Sequence, residues 1–457
     1  MIERPRRDRR APQAHRLGTS PDLHRRGTSP DLPRPAILAT AIGLIVVLLL
    51  AGSILGRPTT PSASAPGVAR VDGSAGPTPP VTATPDAPSG APASSADASP
   101  APVGASPSPA PPATPPPVTS ASGNLYAAAG AGMFSPAVAN VPPRVYVPDE
   151  ASGTVVVIDP RTYRILMRYP VGASPEHVTP DWDLQRLYVE APFGNRLTII
   201  DPKSGKAIGH HDVRGPYNLY FTLDGKMAIV ILDSARPGTE YGGHAQVTFY
   251  DRRTWHVIKA LNVPWAGADH LDFSADGRFF LLSTEYAGRL VRVDVARRTI
   301  TGVLDVGGHP IDVRLSPDGR VFFVANQTRN GVSVVDAKHL RELAFLPTGR
   351  GAHGLALSRD ARWLYVSNRM AGTLSVIDMA RRKVIHTWRI GGSPDMIAVS
   401  PDGSQLWISN RFGGTVTVVN GRTGRIIKII RVGGRPHGLA FFPEPGRLSL
   451  GHNGIYR

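Results

Sequence analysis

Seven short stretches place polar pairs at one recurring position: Glu176-His177, Tyr217-Asn218, Asp269-His270, Ile311-Asp312, His353-Gly354, Asp395-Met396 and His437-Gly438. Six of the seven supply an imidazole or a carboxylate, and only Tyr217-Asn218 supplies neither. Brought together, such groups can do three kinds of work. They can hydrogen-bond neighbouring loops and simply hold a fold. They can bind a small ligand or a borderline divalent ion such as Zn²⁺, for which imidazole and carboxylate are the usual donors. They can also exchange protons with a substrate. For a metal, the candidate ligands are His177, His270, His353 and His437.

Two cations join this set. "LYVSNRMAGTLSVID" at 364–378 and "LWISNRFGGTVTVVN" at 406–420 are nearly the same line, 42 residues apart, and place Arg369 and Arg411 at one position. The line recurs at 145–159, 187–201, 280–294 and 321–336, and once more at 228–251 with an insertion. Self-similarity at a period of 20–50 residues marks repeat architectures. Each copy reads as two strands joined by a Gly- or Asn-containing loop, then an Asp turn and a third strand such as "KVIHTWRI" at 383–390. A fourth strand precedes the line, as in "MIAVSPDG" at 396–403.

Four short antiparallel strands per repeat of about 40–45 residues describe a propeller blade. The apolar runs are nearly unbroken because neighbouring blades cover both faces of each sheet. The expected fold is all-β, a seven-bladed β-propeller. Its first copy, from 144, lacks an innermost strand, and "HGLAFFPEPGRL" at 437–448 is left over. The C-terminal strand is therefore expected to complete a composite first blade and remove the open edge.

In that fold the innermost strands line a channel, so the seven pairs ring its mouth. Loops between second and third strands emerge on the same face, bringing Arg369 and Arg411 there. The insertion at 233–246 contributes Glu240, Tyr241 and His244 to that face, either as a lid over the mouth or as a Gly-rich loop in solvent. The full candidate ligand set is Glu176, His177, Asn218, Asp269, His270, Asp312, His353, Arg369, Asp395, Arg411 and His437.

"LYVSN" and "LWISN", with "SPDG" at 316–319 and "GGRPHGLA" at 433–440, resemble the YVTN-repeat, YncE-like bacterial β-propellers over roughly 144–457. Ser367 and Ser409 stand where the family's tetrad has Thr. The resemblance implies the seven-bladed fold. It implies little about activity, because propellers host many functions. The lactonase branch of bacterial propellers keeps a hydrolase as the alternative.

Other motifs reduce to structure. Asp276, Asp318 and Asp402, like Asp159, Asp201, Asp294, Asp336 and Asp378, sit at turn positions where a short carboxylate accepts a main-chain N–H. "GRGAHG" at 349–354 matches a dinucleotide fingerprint by letter, but neighbouring repeats carry "GGSPDM" and "GGRPHG" there, so it is a loop between blades. No P-loop, HExxH or GxSxG is present, and no cofactor signature beyond a divalent ion suggests itself.

Ahead of the repeats lie three segments. Residues 1–35 hold nine Arg against four acids, residues 36–56 form an uncharged apolar run of 21, and 57–140 are rich in Pro, Ala, Ser and Thr. The run is long enough for one transmembrane helix, and the Arg-rich flank places the N-terminus in the cytoplasm. The chain contains no cysteine, so "LLLAGS" at 48–53 cannot be lipidated, and an uncleaved signal anchor is expected. The Pro-rich spacer would reach on the order of 100–200 Å where extended. Beyond residue 122 the chain carries 40 Lys and Arg against 28 acids. That field favours an anionic envelope polymer, beside a small ligand or a protein, as partner. Nucleic acid is disfavoured, since no basic-aromatic interleaving appears. The expectation is a monomeric, membrane-tethered, extracytoplasmic binding module.

Overall fold

Short strands separated by tight turns pair into seven four-stranded antiparallel sheets. The computed structural model describes residues 123–232, 245–452 and 454–457. The Arg-rich tail, the apolar run at 36–56 and most of the spacer lie outside the described residues. Among the described residues no helix is long and apolar enough to cross a membrane.

Six sheets are built from four consecutive strands each and are numbered blades 2 to 7 in chain order, beginning at His177, Pro216, Ala268, Pro310, Ala352 and Pro394. Blade 6, for example, runs outward from the axis through Ala352–Leu357, Trp363–Asn368, Thr373–Asp378 and Lys383–Arg389. Blade 1 is composite. Arg144–Asp149, Thr154–Ile158 and Ile165–Pro170 receive Ala440–Phe442 as their innermost strand, with Tyr146 opposite Ala440 and Arg144 opposite Phe442. The closing strand is much shorter than the stretch 437–448, because the chain then turns away into the channel.

Burial follows the layering. Leu364, Tyr365 and Val366 are buried from both sides, whereas the outermost strand Lys383–Arg389 is largely exposed. An apolar cluster fills each contact between neighbouring blades. One of them joins Val145, Val147 and Val156 of blade 1 to Trp407, Val416 and Val418 of blade 7, which closes the ring. The turn aspartates act as read. Asp318 accepts from the Arg320 N–H at 3.1 Å and the Ser316 hydroxyl at 2.6 Å, and Asp402 and Asp276 repeat the pattern.

An innermost strand has a sheet neighbour on one side only, so its other edge turns unpaired N–H and C=O groups toward the axis. In blade 3 the C-terminal segment covers that edge. Residues 447–452 and 454–457 pair as a hairpin, in which the Leu450 N–H donates to the Ile455 carbonyl at 2.7 Å and the Arg457 N–H to Leu448 at 3.2 Å. The hairpin pairs with blade 3 through Phe221 N–H to Leu450 O and His452 N–H to Leu219 O, both 2.9 Å. Gly451, with φ +118, permits this approach, since a Cβ there would lie 2.5 Å from the Leu219 carbonyl oxygen.

Packing also begins before residue 141. Leu125 donates its N–H to Pro317 O at 2.9 Å, the Tyr126 hydroxyl donates to Leu315 O at 2.8 Å, and Ala129, Val138 and Val141 join the core between blades 1 and 2. No strand repeat marks this segment, so the period that delimits the blades could not include it.

A chain ending at Arg435 loses Leu439, Phe441, Phe442, Leu450 and Ile455, all buried. At about 1.5–3 kcal/mol each, that loss rivals the whole net stability of a typical domain, about 5–15 kcal/mol. We expect it to aggregate or melt without a cooperative transition in calorimetry; a melt matching the full chain would remove the closing role of the C-terminal segment.

Candidate functional site

Five of the seven polar pairs stand at a local break in the ladder. Pairing of first and second strands shifts register between Pro216 and Asn218, Ala268 and Leu271, Pro310 and Val313, Ala352 and Leu355, and Pro394 and Ile397. Each shift falls on one of the pairs, and such bulges re-aim side chains. A second-strand serine fills the gap: Ser283 accepts from the His270 N–H at 3.1 Å, Ser367 from Gly354 at 2.8 Å and Ser409 from Met396 at 3.1 Å.

The ring divides into two groups. In the first, His437 Nδ1 lies 2.5 Å from Glu176 and its Nε2 3.5 Å from Asp395, while His353 Nδ1 lies 3.3 Å from Asp395. The Arg369 Nε donates to Asp395 at 2.7 Å, and its guanidinium also contacts the His353 Nε2. Arg411 pairs with Glu150 at 2.6 Å and lies 3.5 Å from Glu176. A buried network of arginines, acids and histidines results.

The second group is His177, His270 and His452, each of which offers one ring nitrogen within 4.8 Å of those of the other two. His177 Nδ1 is 2.9 Å from the Tyr217 carbonyl oxygen, and His270 Nδ1 is 2.7 Å from Asp269. His270 Nε2 and His452 Nε2 are 3.0 Å apart. The groups meet where the His177 and His437 ring centroids stand 4.6 Å apart. Gly438 makes this possible, because a Cβ there would collide with the His177 ring.

The four histidines picked from the sequence therefore do not share one centre. His353 and His437 face carboxylates and an arginine; His177 and His270 face each other and His452. Asn218 and Asp312 work between blades: the Asn218 amide donates to Asp269 O at 2.8 Å, and Asp312 accepts from Leu355 N–H at 2.7 Å. Glu240, Tyr241 and His244 lie outside the described residues.

Burial sets the protonation of the histidines. It pushes His177 down to about 3, aided by nearby His270, and holds His452 well below the ordinary value, aided by His177. Burial, then Arg369, lowers His353, and burial, then Arg411, lowers His437. For His270 burial acts downward too, but the Asp269 carboxylate overrides it and raises the group. Burial likewise opposes the charge on Asp395, and Arg369 and His437 reverse the balance and lower it.

The sequence reading misses two buried residues beside this site, one on the hairpin and one on a second strand. His452 belongs to no repeat and so to no column. Glu190 stands in "LYVEA" where "LYVSN" and "LWISN" have serine, and that substitution was the available signal. Its carboxyl is fully buried, and burial pushes it up to about 8.

Outside the ring, the loops between second and third strands expose one large apolar side chain each in four blades. Phe193 is 54% exposed, Tyr286 47%, Met370 64% and Phe412 66%, so the mouth face carries an apolar rim.

A closed seven-bladed propeller with an ionisable, histidine-rich channel mouth is the class these features define. The family profile described as YNCE-like beta-propeller matches residues 118–444, and the chain belongs to that family. No curated protein matches it. Among solved structures it is similar to the periplasmic gluconolactonase PpgL of Pseudomonas aeruginosa, at 20% identity and TM-score 0.57, covering 66% of this chain and 99% of that one. A functionally unknown protein of Desulfotomaculum acetoxidans gives 17% and 0.56, with 65% and 98% covered. A putative 6-phosphogluconolactonase of Bacteroides fragilis gives 16% and 0.54, with 66% and 98% covered. At these identities the likeness is one of fold.

Glu190 yields a pH-dependent prediction. Its folded form keeps a proton that the unfolded chain releases near 4.5. Its contribution is thus complete below that pH and is lost as pH rises toward 8, at about 1.4 kcal/mol per pH interval. In chelator, Glu190→Gln should match the parent's melting temperature at pH 5 and exceed it increasingly up to pH 8; a difference flat from pH 5 to 9 contradicts this.

Proposed function

We propose that the protein is a membrane-tethered, extracytoplasmic binding module whose mouth face receives its ligand. The observation that supports this most is the gathering of buried ionisable groups under one face. Glu176, Asp395, Arg411, His177, His270 and His437 are all buried there. Burying charge in pairs is costly relative to an apolar packing of the same volume, so such a cluster is a site rather than a stabilising device. The apolar rim of Phe193, Tyr286, Met370 and Phe412 surrounds it, and the basic surplus of the domain draws anionic envelope material toward it.

A lactone hydrolase is the second reading. The His437–Glu176 contact of 2.5 Å gives it a candidate base, and two of the similar structures are described as lactonases. Against it, both channel acids beside His437 already lie within reach of Arg369 or Arg411.

Protease added to intact cells should remove the propeller and leave the N-terminal tail protected; a protected propeller reverses the proposed orientation. Purified residues 123–457 should co-sediment with sacculi of the source organism. Serine at positions 193, 286, 370 and 412 together should lower the bound fraction at least tenfold. Equal sedimentation of that variant, or none by the parent, removes the mouth face as the binding surface, and turnover of a lactone panel lost in His437→Ala favours the hydrolase.

A further inference from the structure

We infer that the channel holds a divalent transition-metal ion of the zinc class on the Nε2 atoms of His177, His270 and His452, with the third ligand delivered by the C-terminal hairpin. The inference rests on the reading of the channel as a ligand site and names the ligand's class.

The tautomers of His177 and His270 follow from what their other ring nitrogens face. His177 Nδ1 meets a carbonyl oxygen at 2.9 Å and must donate, so its Nε2 carries a lone pair. That Nε2 is buried and has no hydrogen-bond partner. A buried acceptor left so forfeits its hydrogen bond, and a metal ion would supply the missing partner. His270 Nδ1 meets the Asp269 carboxylate at 2.7 Å, again directing Nε2 toward the centre. A carbonyl behind His177 and a carboxylate behind His270 are the arrangement that orients histidines on a metal and raises their basicity, whereas His452 Nδ1 has no hydrogen-bond partner.

Spacing agrees. Donors about 2.0–2.1 Å from a tetrahedral ion stand roughly 3.3 Å apart, and His270 Nε2 and His452 Nε2 are separated by 3.0 Å. One ring nitrogen of each of the three residues lies within 4.8 Å of the others, so gathering them on one ion asks the trio to draw in by up to about 1.5 Å. Softness selects the ion: three imidazoles suit Zn²⁺, Cu²⁺ or Ni²⁺ over Mg²⁺ or Ca²⁺. The other trio, His353, Asp395 and His437, is less fit for a cation, because the Arg369 guanidinium already sits on His353 and Asp395.

A consequence follows for the fold. His452 hangs on the segment that also supplies the closing strand of blade 1, so the ion ties ring closure to channel occupancy.

The test uses the full-length protein, purified in mild detergent and stripped with chelator, and titrates it with Zn²⁺ against a chromophoric competitor. The parent should take up one ion per chain and gain several degrees in melting temperature. His177→Ala, His270→Ala and His452→Ala should each weaken binding at least a hundredfold, while His386→Ala, on an exposed outer strand, leaves it unchanged. His452→Asn guards against misfolding, since it should melt as the stripped parent does yet lose the ion. Substoichiometric uptake by the parent, or unchanged uptake by the folded His452→Asn variant, overturns the inference. Co-sedimentation with sacculi in chelator separates the two claims: if it persists while zinc is not bound, the ion is wrong and the binding module stands.

Discussion

Closing seven sheets into a ring leaves seven innermost edges facing one axis, and the rest of the structure depends on how that axis is filled. Each edge carries main-chain groups with no sheet partner, and the blades crowd together there. Apolar packing serves the spaces between blades, as Val145 and Trp407 show at the closing contact. It cannot serve the axis itself. Polar side chains, bulged out of the ladder and tied by Ser283, Ser367 and Ser409, take that place at the mouth, and a hairpin takes it in blade 3.

Charge in such a space is tolerable only when paired. Arg369 and Arg411 reach inward from loops to meet Asp395 and Glu176, and burial keeps His353 and His437 largely neutral among them. On the opposite side of the axis buried Arg314 acts on His270 and His452 through space, and the His177 Nε2 lone pair is left without a hydrogen-bond partner. One channel thus holds an ion-paired group and a group of three histidines, which meet at the His177–His437 contact.

The fold was readable because its unit repeats: the 42-residue spacing of "LYVSN" and "LWISN" fixes strand, loop and blade together. For the same reason the repeat places Arg369 and Arg411 at one equivalent loop position. What escaped lies where the repeat stops or is broken. His452 sits past the last copy, Glu190 replaces a serine within one, and residues 124–141 pack without any strand period. Grouping the histidines by column also obscured their division, because columns give position around the ring and not the direction of each imidazole.

The central claim is that the tail histidine and two wall histidines form one metal centre. Anomalous diffraction from crystals grown with Zn²⁺, collected at the zinc edge, tests it most directly. The account predicts a single strong peak about 2.0–2.1 Å from Nε2 of His177, His270 and His452. No peak in the channel, or one lodged instead between His353, Asp395 and His437, contradicts it.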